Sequence, residues 1–273
     1  MDMCRLYRTW LSVVAFGLVG AFSCALPAVA GSSGCHAVAS NRPLIQLASV
    51  KSGPLAANEA RITFIGHATF LIESAGGVRM VTDFNDYVRP AAIPDIATMN
   101  RAHTTHYTNN PPAGITHVLR GWSPDGGPVE HNVSLKDVHV RNVPTNIRDW
   151  GGGGGAYGNS IFIFELAGLC IGHLGHLHHT LTPEQIGAIG QLDIVLVPVD
   201  GGYTMDVSGM IDVLRALKAR LIVPMHYFNQ FTLDRFIERL RGEFPVETAP
   251  HSKLVVSQAT MPSEPKVLIL PGN

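Results

Sequence analysis

Four histidines between positions 173 and 179, in the segment His-Leu-Gly-His-Leu-His-His, constrain this chain more than any other feature. They follow Ser160–Ile171, an apolar stretch that has the composition of buried β-strands. Imidazoles fill a hydrophobic core poorly, because buried ring nitrogens need polar partners. Histidine is the commonest metal ligand in proteins. We therefore expect a fold that brings this run to the end of a buried strand, beside a transition metal.

Two distant segments also carry histidine. His103 and His106 lie in an irregular stretch, and His226 ends the apolar strand-like segment Leu221–Met225. All three places are predicted to be loops at strand ends, where side chains from separate parts of a chain can converge. Neutral imidazole suits Zn, Cu, Fe and Ni, so the three segments together predict a metal site.

The net charge of the chain bears on which kinds of partner it can bind. The 273 residues are 46% hydrophobic and 15% charged, with a formal net charge of -1. This balance gives no electrostatic reason to expect nucleic acid or an anionic membrane surface as a partner. We expect a small-molecule substrate instead.

The amino-terminal segment has the pattern of a secretory signal over residues 1–30, with basic residues, an apolar run and an Ala-Val-Ala cleavage site. Residues 31–58 read as a tether and 59–273 as one domain, so we expect a periplasmic or secreted protein with no membrane contact after cleavage. Two alternatives remain, an uncleaved membrane anchor and a lipid attached at Cys35.

Cysteine usage adds little to the metal argument. Cys35 and Cys170 remain after residues 1–30 are removed, and Cys170 is predicted to be an inert buried thiol. Two cysteines do not predict a disulfide framework, and no Cys-x-x-Cys pair predicts a structural zinc site.

The order of elements predicts two packed sheets with helices outside them. Strands expected at 61–65, 68–73 and 78–83 form an antiparallel meander. Strands and helices then alternate, and one helix opens on a capping pattern at Thr182. Five glycines at 151–155 are either a loose surface loop or a mobile flap beside a site.

Several motifs resemble those of the metallo-β-lactamase superfamily, and in particular its ascorbate-6-phosphate lactonase-like branch. The resemblance implies an α+β fold, an αββα sandwich of two mixed β-sheets flanked by helices. It runs in consistent order from about Arg61 to Tyr227. The motifs are Ile62-Thr-Phe-Ile-Gly-His67-Ala-Thr-Phe-Leu-Ile-Glu, Val81-Thr-Asp83, His173-Leu-Gly, Leu196-Val-Pro-Val-Asp200-Gly-Gly and Val223-Pro-Met-His226-Tyr.

The chain departs from the family's first metal motif, His-x-His-x-Asp-His. With His106 at the second histidine, the other three ligand positions hold Thr104, Thr108 and Asn109. The family's later bridging aspartate falls on His176. Asn146 stands where another ligand histidine is usual, whereas the last ligand histidine is kept as His226.

These departures argue against two close cations, because neutral side chains offset their repulsion less well than a bridging carboxylate. We expect one ion, Zn²⁺ or alternatively Mn²⁺ or Fe²⁺. His106, His176 and His226 are the leading ligands, and three imidazoles with an open position form a known catalytic zinc arrangement. His103, His178 and His179 compete for a remaining role.

Other residues are expected to support that site. The resemblance implies that Asp83 braces a ligand histidine by accepting its second ring N–H. We expect His67 and His173 to be structural or to orient neighbouring groups. The isolated histidines elsewhere are interpreted as structural: His117, His131, His139 and His251.

The leading hypothesis is an exported metal-dependent hydrolase in which metal-activated water attacks an ester, lactone or phosphodiester. Asp200 or His179 would accept a proton, although Asp200 is equally well explained as a turn residue. Tyr107, Asn109 and Asn146 would bind substrate oxygens. The alternative is a non-catalytic metal- or ligand-binding protein on a decayed hydrolase scaffold. β-Lactamase activity itself does not follow, because a fold does not fix a function.

Overall fold

The structure is a computed structural model that describes Cys35, residues 53–148 and residues 155–272. The expected signal segment 1–30, most of the expected tether and glycines 151–154 lie outside the described residues. Among the described residues, no helix has the length and apolar character needed to span a membrane.

A six-stranded sheet contains the first half of the domain, in the order β13-β1-β2-β3-β4-β5. The expected meander is confirmed, since β1, β2 and β3 pair antiparallel. β3, β4 and β5 then run parallel to one another. The strands are β1 Ala60–Gly66, β2 Thr69–Ser74, β3 Arg79–Val81, β4 Ile96–Met99, β5 His117–Arg120 and β13 Lys253–Val256.

An eight-stranded sheet contains the second half, in the order β12-β14-β11-β10-β9-β8-β7-β6. Its centre is formed by the parallel strands β9, β10 and β11, so their carboxyl ends share one edge. The strands are β6 Asn132–Leu135, β7 Val138–Thr145, β8 Asn159–Leu166, β9 Leu169–His173, β10 Ile194–Pro198, β11 Leu221–Met225, β12 Val246–Thr248 and β14 Lys266–Ile269.

Within the described residues, three α-helices connect strands of the second sheet, each with a side-chain cap at its amino terminus that satisfies a free backbone N–H. The expected capping box at Thr182 is present, with Gln185 as its partner. Asp206 and Asn229 cap the other two helices. The helices are α1 Pro183–Ile189, α2 Val207–Leu217 and α3 Gln230–Leu240.

Two hydrophobic layers hold the sheets and helices together. Phe70 of the first sheet and Phe162 and Phe164 of the second belong to the core between the sheets. A second core lies between the eight-stranded sheet and the helices, and Phe236 of α3 is fully buried there. The sandwich of two mixed sheets with flanking helices is therefore confirmed. A smaller cluster that includes Phe84 joins β3 and β4 to the loops beside them.

Cys35 and Cys170 form a disulfide that joins the segment before the domain to β9. The expectation that Cys170 is a free, inert thiol is therefore wrong. A sulfur in a disulfide cannot also carry a thioether-linked lipid, so the lipid-anchor alternative at Cys35 is inconsistent with this pairing. The backbone of Cys35 is held as well, because its carbonyl accepts a hydrogen bond from Gln191 N at 2.8 Å.

The disulfide closes a sequence separation of 135 residues. Loop closure of this length predicts that Cys35→Ser lowers the free energy of unfolding by about 4–5 kcal/mol, as an upper value. Urea unfolding measured by circular dichroism checks this. Reductant should destabilise the unsubstituted protein and leave the variant unchanged. Equal sensitivity to reductant in both proteins would rule out the pairing.

Candidate metal centre

Residues that follow three neighbouring parallel strands of the second sheet meet at one edge. His176 follows β9, Asp200 follows β10 and His226 follows β11. Because the carboxyl ends of parallel strands lie side by side, these three side chains approach one another although they are far apart in sequence. Ligand sites at such an edge are a recurring feature of parallel sheets.

The first sheet brings its own residues to the same edge. His67 occupies the turn between β1 and β2, Asp83 follows β3, and His106 lies in the loop after β4. A backbone hydrogen bond from His226 N to His67 O, 2.7 Å long, connects the two sheets at this point. The rings of His67 and His226 are consequently only 4.1 Å apart between centroids.

Three of these residues have a left-handed backbone. The φ angles are 53° at His67, 43° at Asp83 and 56° at His226. Such conformations are unfavourable for residues with a Cβ and persist where the surrounding structure enforces them. The strain is concentrated where histidine and carboxylate side chains converge, which is typical of a functional site.

His106 and His226 face each other through their Nε2 atoms, which are 3.1 Å apart. On the other side of each ring lies a buried carboxylate. His106 Nδ1 is 2.6 Å from Asp83 Oδ2, and His226 Nδ1 is 3.0 Å from Asp200 Oδ1, in a geometry short of a hydrogen bond. Carboxylates behind paired imidazoles fix the tautomer of ligand histidines in metal sites.

Charge balance favours a cation between these two rings. If both rings carry their proton on Nδ1, toward the carboxylates, two Nε2 lone pairs face each other at 3.1 Å. If His226 instead carries its proton on Nε2, its Nδ1 lone pair faces the Asp200 carboxylate. A second proton on His226, or a metal ion shared by the two Nε2 atoms, removes this conflict. Two nitrogens bound to tetrahedral zinc at about 2.0–2.1 Å are about 3.3 Å apart, close to the observed spacing.

His67 supplies a third potential metal-binding nitrogen beside those of His106 and His226. One potential ligand nitrogen from each of His67, His106 and His226 lies within 4.8 Å of the other two. His67 Nε2 is buried and has no hydrogen-bond partner, which is costly unless another ligand satisfies it. Burial, together with the charges that His226 and His106 can carry, lowers the pKa of His67 to about 3. Burial likewise holds the pKa of His106 well below its usual range. Neutral imidazole is the form that binds metal, so these residues fit a divalent cation.

His176 lies against the same group without being part of it. Its ring centroid is 4.8 Å from that of His106 and 4.9 Å from that of His226. His176 Nδ1 is 2.6 Å from His178 Nε2, whereas the buried Nε2 of His176 has no partner. The structure thus favours His67 over His176 as the third member of the predicted ligand set.

Asn100 and Asn159 position the functional groups from behind. Asn100 Nδ2 donates to Asp83 Oδ1 at 3.0 Å, and Asn159 Oδ1 accepts from His176 N at 2.8 Å. Gly175, with a φ of 60°, lies between them, and a Cβ at that position would come within 2.4 Å of both side chains. Only glycine allows the histidine run to pass so close to this pair.

Asp83 and Asp200 differ in their surroundings. Burial raises the pKa of Asp83 to about 6, against the opposing effect of His173. Burial has the same tendency at Asp200, but the adjacent His226 imidazole and hydrogen bonds from Thr204 and Gly202 outweigh it and hold the pKa of Asp200 below its usual range. Its Oδ2 also accepts from Tyr203 N at 2.5 Å.

These surroundings disfavour the predicted role of Asp200 as a proton acceptor. Its oxygens are already occupied by donors, and its ionised form is strongly stabilised. Its part is to hold the loop after β10 and to lie behind His226 Nδ1. Of the two interpretations, the turn residue fits the structure.

Other predicted site residues have other partners. His179, a predicted proton acceptor, uses Nε2 to accept from Asn146 N at 3.0 Å and Nδ1 to contact Thr180 O at 2.8 Å. Asn146 Oδ1 accepts from Tyr157 N. These contacts connect loops, so they favour a structural role for His179 and Asn146 over the predicted catalytic and substrate-binding roles.

The surroundings of Tyr107 and Asn109 also give no support to the predicted binding of substrate oxygens. The Tyr107 ring packs on Trp122 at 5.5 Å within the cluster beside β3 and β4, and Asn109 is exposed on the loop surface. His173 contacts Ala68 O through Nε2 and accepts from Gly175 N through Nδ1. Both its nitrogens are used, which agrees with an orienting role.

The outer side of the centre carries the remaining two predicted ligands. His103 is exposed, and its ring is 4.8 Å from that of His176 between centroids. His178 is half-buried, and burial, with a smaller effect of Arg148, lowers its pKa to about 4. His103, His176 and His178 thus extend the histidine cluster outward from His106 and His226.

A family model for the beta-lactamase superfamily domain matches residues 61–226, which contain every residue of the candidate metal centre. Among the relatives, a metal-dependent hydrolase of Thermoplasma acidophilum is 40% identical over 74 residues, 27% of this chain and 32% of that protein. The chain thus spans about a third of that relative's length. A metal-dependent hydrolase of Archaeoglobus fulgidus is 26% identical over 210 residues, covering 63% of this chain and 85% of the relative.

Among solved structures, a metallo-β-lactamase superfamily protein from Thermotoga maritima superposes with a TM-score of 0.57 at 26% identity. The superposition covers 77% of this chain and 98% of that protein. The likeness therefore extends over nearly the whole of that protein.

We predict that the purified protein binds about one equivalent of zinc and that His67→Ala, His106→Ala and His226→Ala each abolish stoichiometric binding. Metal analysis after dialysis measures this, with the exposed His251→Ala as the matched control. Retention in His67→Ala together with loss in His176→Ala would instead support the ligand set expected from sequence.

Asp83→Asn separates orientation from coordination. Loss of the carboxylate behind His106 should weaken zinc binding about 10- to 100-fold without abolishing it. Competition with a chelator of known affinity measures the change. An unchanged affinity would show that the negative charge of Asp83 does not support a ligand histidine.

Proposed function

Because the chain belongs to the beta-lactamase superfamily, we propose that it is a metal-dependent hydrolase with one divalent cation held by His67, His106 and His226. The substrate is an ester, a lactone or a phosphodiester. The lactone is included because the sequence motifs resemble those of the lactonase-like branch.

One observation carries this proposal. The Nε2 atoms of His106 and His226 face each other at 3.1 Å, each ring has a carboxylate on its other nitrogen, and the buried His67 Nε2 beside them has no partner. A site for a proton alone would not need the third nitrogen.

The donor set favours zinc over the harder alternatives. All three nitrogens come from imidazole, which suits Zn²⁺ and Fe²⁺ better than Mn²⁺, an ion that prefers oxygen ligands. A bound zinc ion acts as a Lewis acid toward a carbonyl or phosphoryl oxygen and lowers the pKa of water. The hydrogen bond between Asp83 and His106 Nδ1 keeps the His106 ring in the orientation that metal binding requires.

His176 supplies the polar group nearest to the ligands. Its buried Nε2 has no partner, and its Nδ1 is paired with His178 Nε2. In its neutral form His176 Nε2 can accept a hydrogen bond from the attacking water. Asn159 fixes the backbone of His176 and so holds this nitrogen in place.

We also propose that the protein is exported. Residues 1–30 have the pattern of a secretory signal, and the Cys35–Cys170 disulfide is of a kind that persists in oxidising compartments. Together they support a periplasmic or secreted location.

The second candidate is a non-catalytic metal-binding protein. Thr104, Thr108 and Asn109 at the family's ligand positions favour it, as does the engagement of Asp200 by backbone donors. The two candidates agree on metal binding and differ only in turnover.

Hydrolysis assays separate them. We expect zinc-loaded protein to cleave p-nitrophenyl esters, a simple lactone or bis-p-nitrophenyl phosphate. His106→Ala should reduce kcat/KM at least about 100-fold, as expected for loss of the Lewis acid. His251→Ala serves as the control. Stoichiometric zinc without turnover of any of the three substrates, or with Mn²⁺ or Fe²⁺ in place of zinc, would favour the non-catalytic candidate.

A further inference from the structure

Two large aromatic side chains lie exposed beside the histidine cluster. Tyr203 is 59% exposed and Phe228 is 56% exposed. Their rings contact each other edge to face, with centroids 5.4 Å apart. Single exposed aromatic residues are common on proteins, whereas adjoining ones beside a candidate site mark a binding surface.

The pair is continuous with the candidate metal centre. The Phe228 ring is 5.5 Å from that of His226 and 5.8 Å from that of His67. The Tyr203 ring is 6.1 Å from that of His103. The two aromatic residues therefore border the centre on the side where His67 and His103 meet solvent.

The backbone under these rings is fixed. Tyr203 N donates to Asp200 Oδ2, and Phe228 follows two residues after His226, whose N–H bonds to His67 O. The same contacts that orient the candidate ligands thus set the positions of both aromatic residues. A group resting on them is held at a constant distance from the centre.

Two arginine side chains near this surface donate hydrogen bonds to backbone carbonyl groups. Arg148 donates to Gly202 O at 3.1 Å and to Thr204 O at 3.0 Å, and Arg235 donates to Asp200 O. Their guanidinium groups brace the loop after β10. The surface offered to a ligand is therefore made of aromatic and imidazole rings, which suit an apolar group better than a multiply charged one.

We propose that Tyr203 and Phe228 form the subsite for the apolar acyl or aryl group of the substrate, which makes the substrate an ester or lactone of a hydrophobic acid. This inference rests on the proposed hydrolase function. The carbonyl lies at the metal centre, and the chain or ring that it carries covers the two exposed aromatic rings. Hydrolysis adds water across the acyl C–O bond, giving the hydrophobic carboxylic acid and an alcohol.

Binding of the acid product tests the subsite without turnover. Isothermal titration of the zinc-loaded full chain uses acetate, butanoate, hexanoate and octanoate. We expect affinity to rise about two- to fourfold for each added methylene that is buried. In Tyr203→Ala and Phe228→Ala, the slope of the logarithm of affinity against the number of methylenes should be at most half that of the wild-type protein.

Phe231→Ala is the matched control. Phe231 is 74% exposed at the start of α3, and within the described residues no ring contact links it to the centre. This variant should keep the wild-type dependence on chain length. Phe228→Leu, which retains an apolar side chain, should keep most of it. Zinc content and thermal unfolding verify that each variant is folded.

Ester hydrolysis provides the second measurement. For p-nitrophenyl acetate, butyrate and octanoate, Tyr203→Ala and Phe228→Ala should raise KM most for the octanoate.

Chain-length-dependent binding without ester turnover would reject the proposed function and keep the subsite. Turnover without chain-length dependence, or with dependence unaffected by both variants, would overturn the subsite and keep the hydrolase. Sedimentation that shows a self-association lost in both variants, with unchanged carboxylate affinity, would also overturn it.

Discussion

Two buried carboxylates that face one another through a pair of histidines hold the edge of this sandwich together. Asp83 comes from the six-stranded sheet and Asp200 from the eight-stranded sheet, and His106 and His226 lie between them. Buried carboxylates are stable only when charge or hydrogen bonds compensate them. A cation at the junction of the two rings would bind one residue from each sheet, so the proposed site lies where the two sheets meet.

The sequence predicted the parts of the fold that bury apolar side chains in a regular pattern. β8, β10 and β11 are continuous apolar runs because both of their faces are covered. The strands β6 and β12 were missed because their side chains are largely exposed and leave no apolar pattern. The short β4 was missed too, since it is held by its parallel neighbours β3 and β5.

Candidate site residues could be predicted from sequence where they belong to a recognisable motif. They could not be predicted where their role depends on contacts between distant parts of the fold. His106 and His226 followed from spacing and resemblance. His67 as a candidate ligand depends on the hydrogen bond between His226 N and His67 O, which joins the two sheets. The sequence supported Asp200 equally as a proton acceptor and as a turn residue, and only the structure shows the hydrogen-bond donors around its carboxylate. The Cys35–Cys170 pairing spans 135 residues, and two cysteines alone carry no connectivity signal.

That pairing also changes what a cut in the backbone does. Residue 35 and β9 are joined through sulfur, so the chain from 35 to 170 is a covalent ring. A single protease cut at any peptide bond inside the ring leaves both pieces attached, and β1 to β8 remain bonded to the strand that leads into the histidine run. The molecule can be nicked there without being divided, for as long as its surroundings remain oxidising.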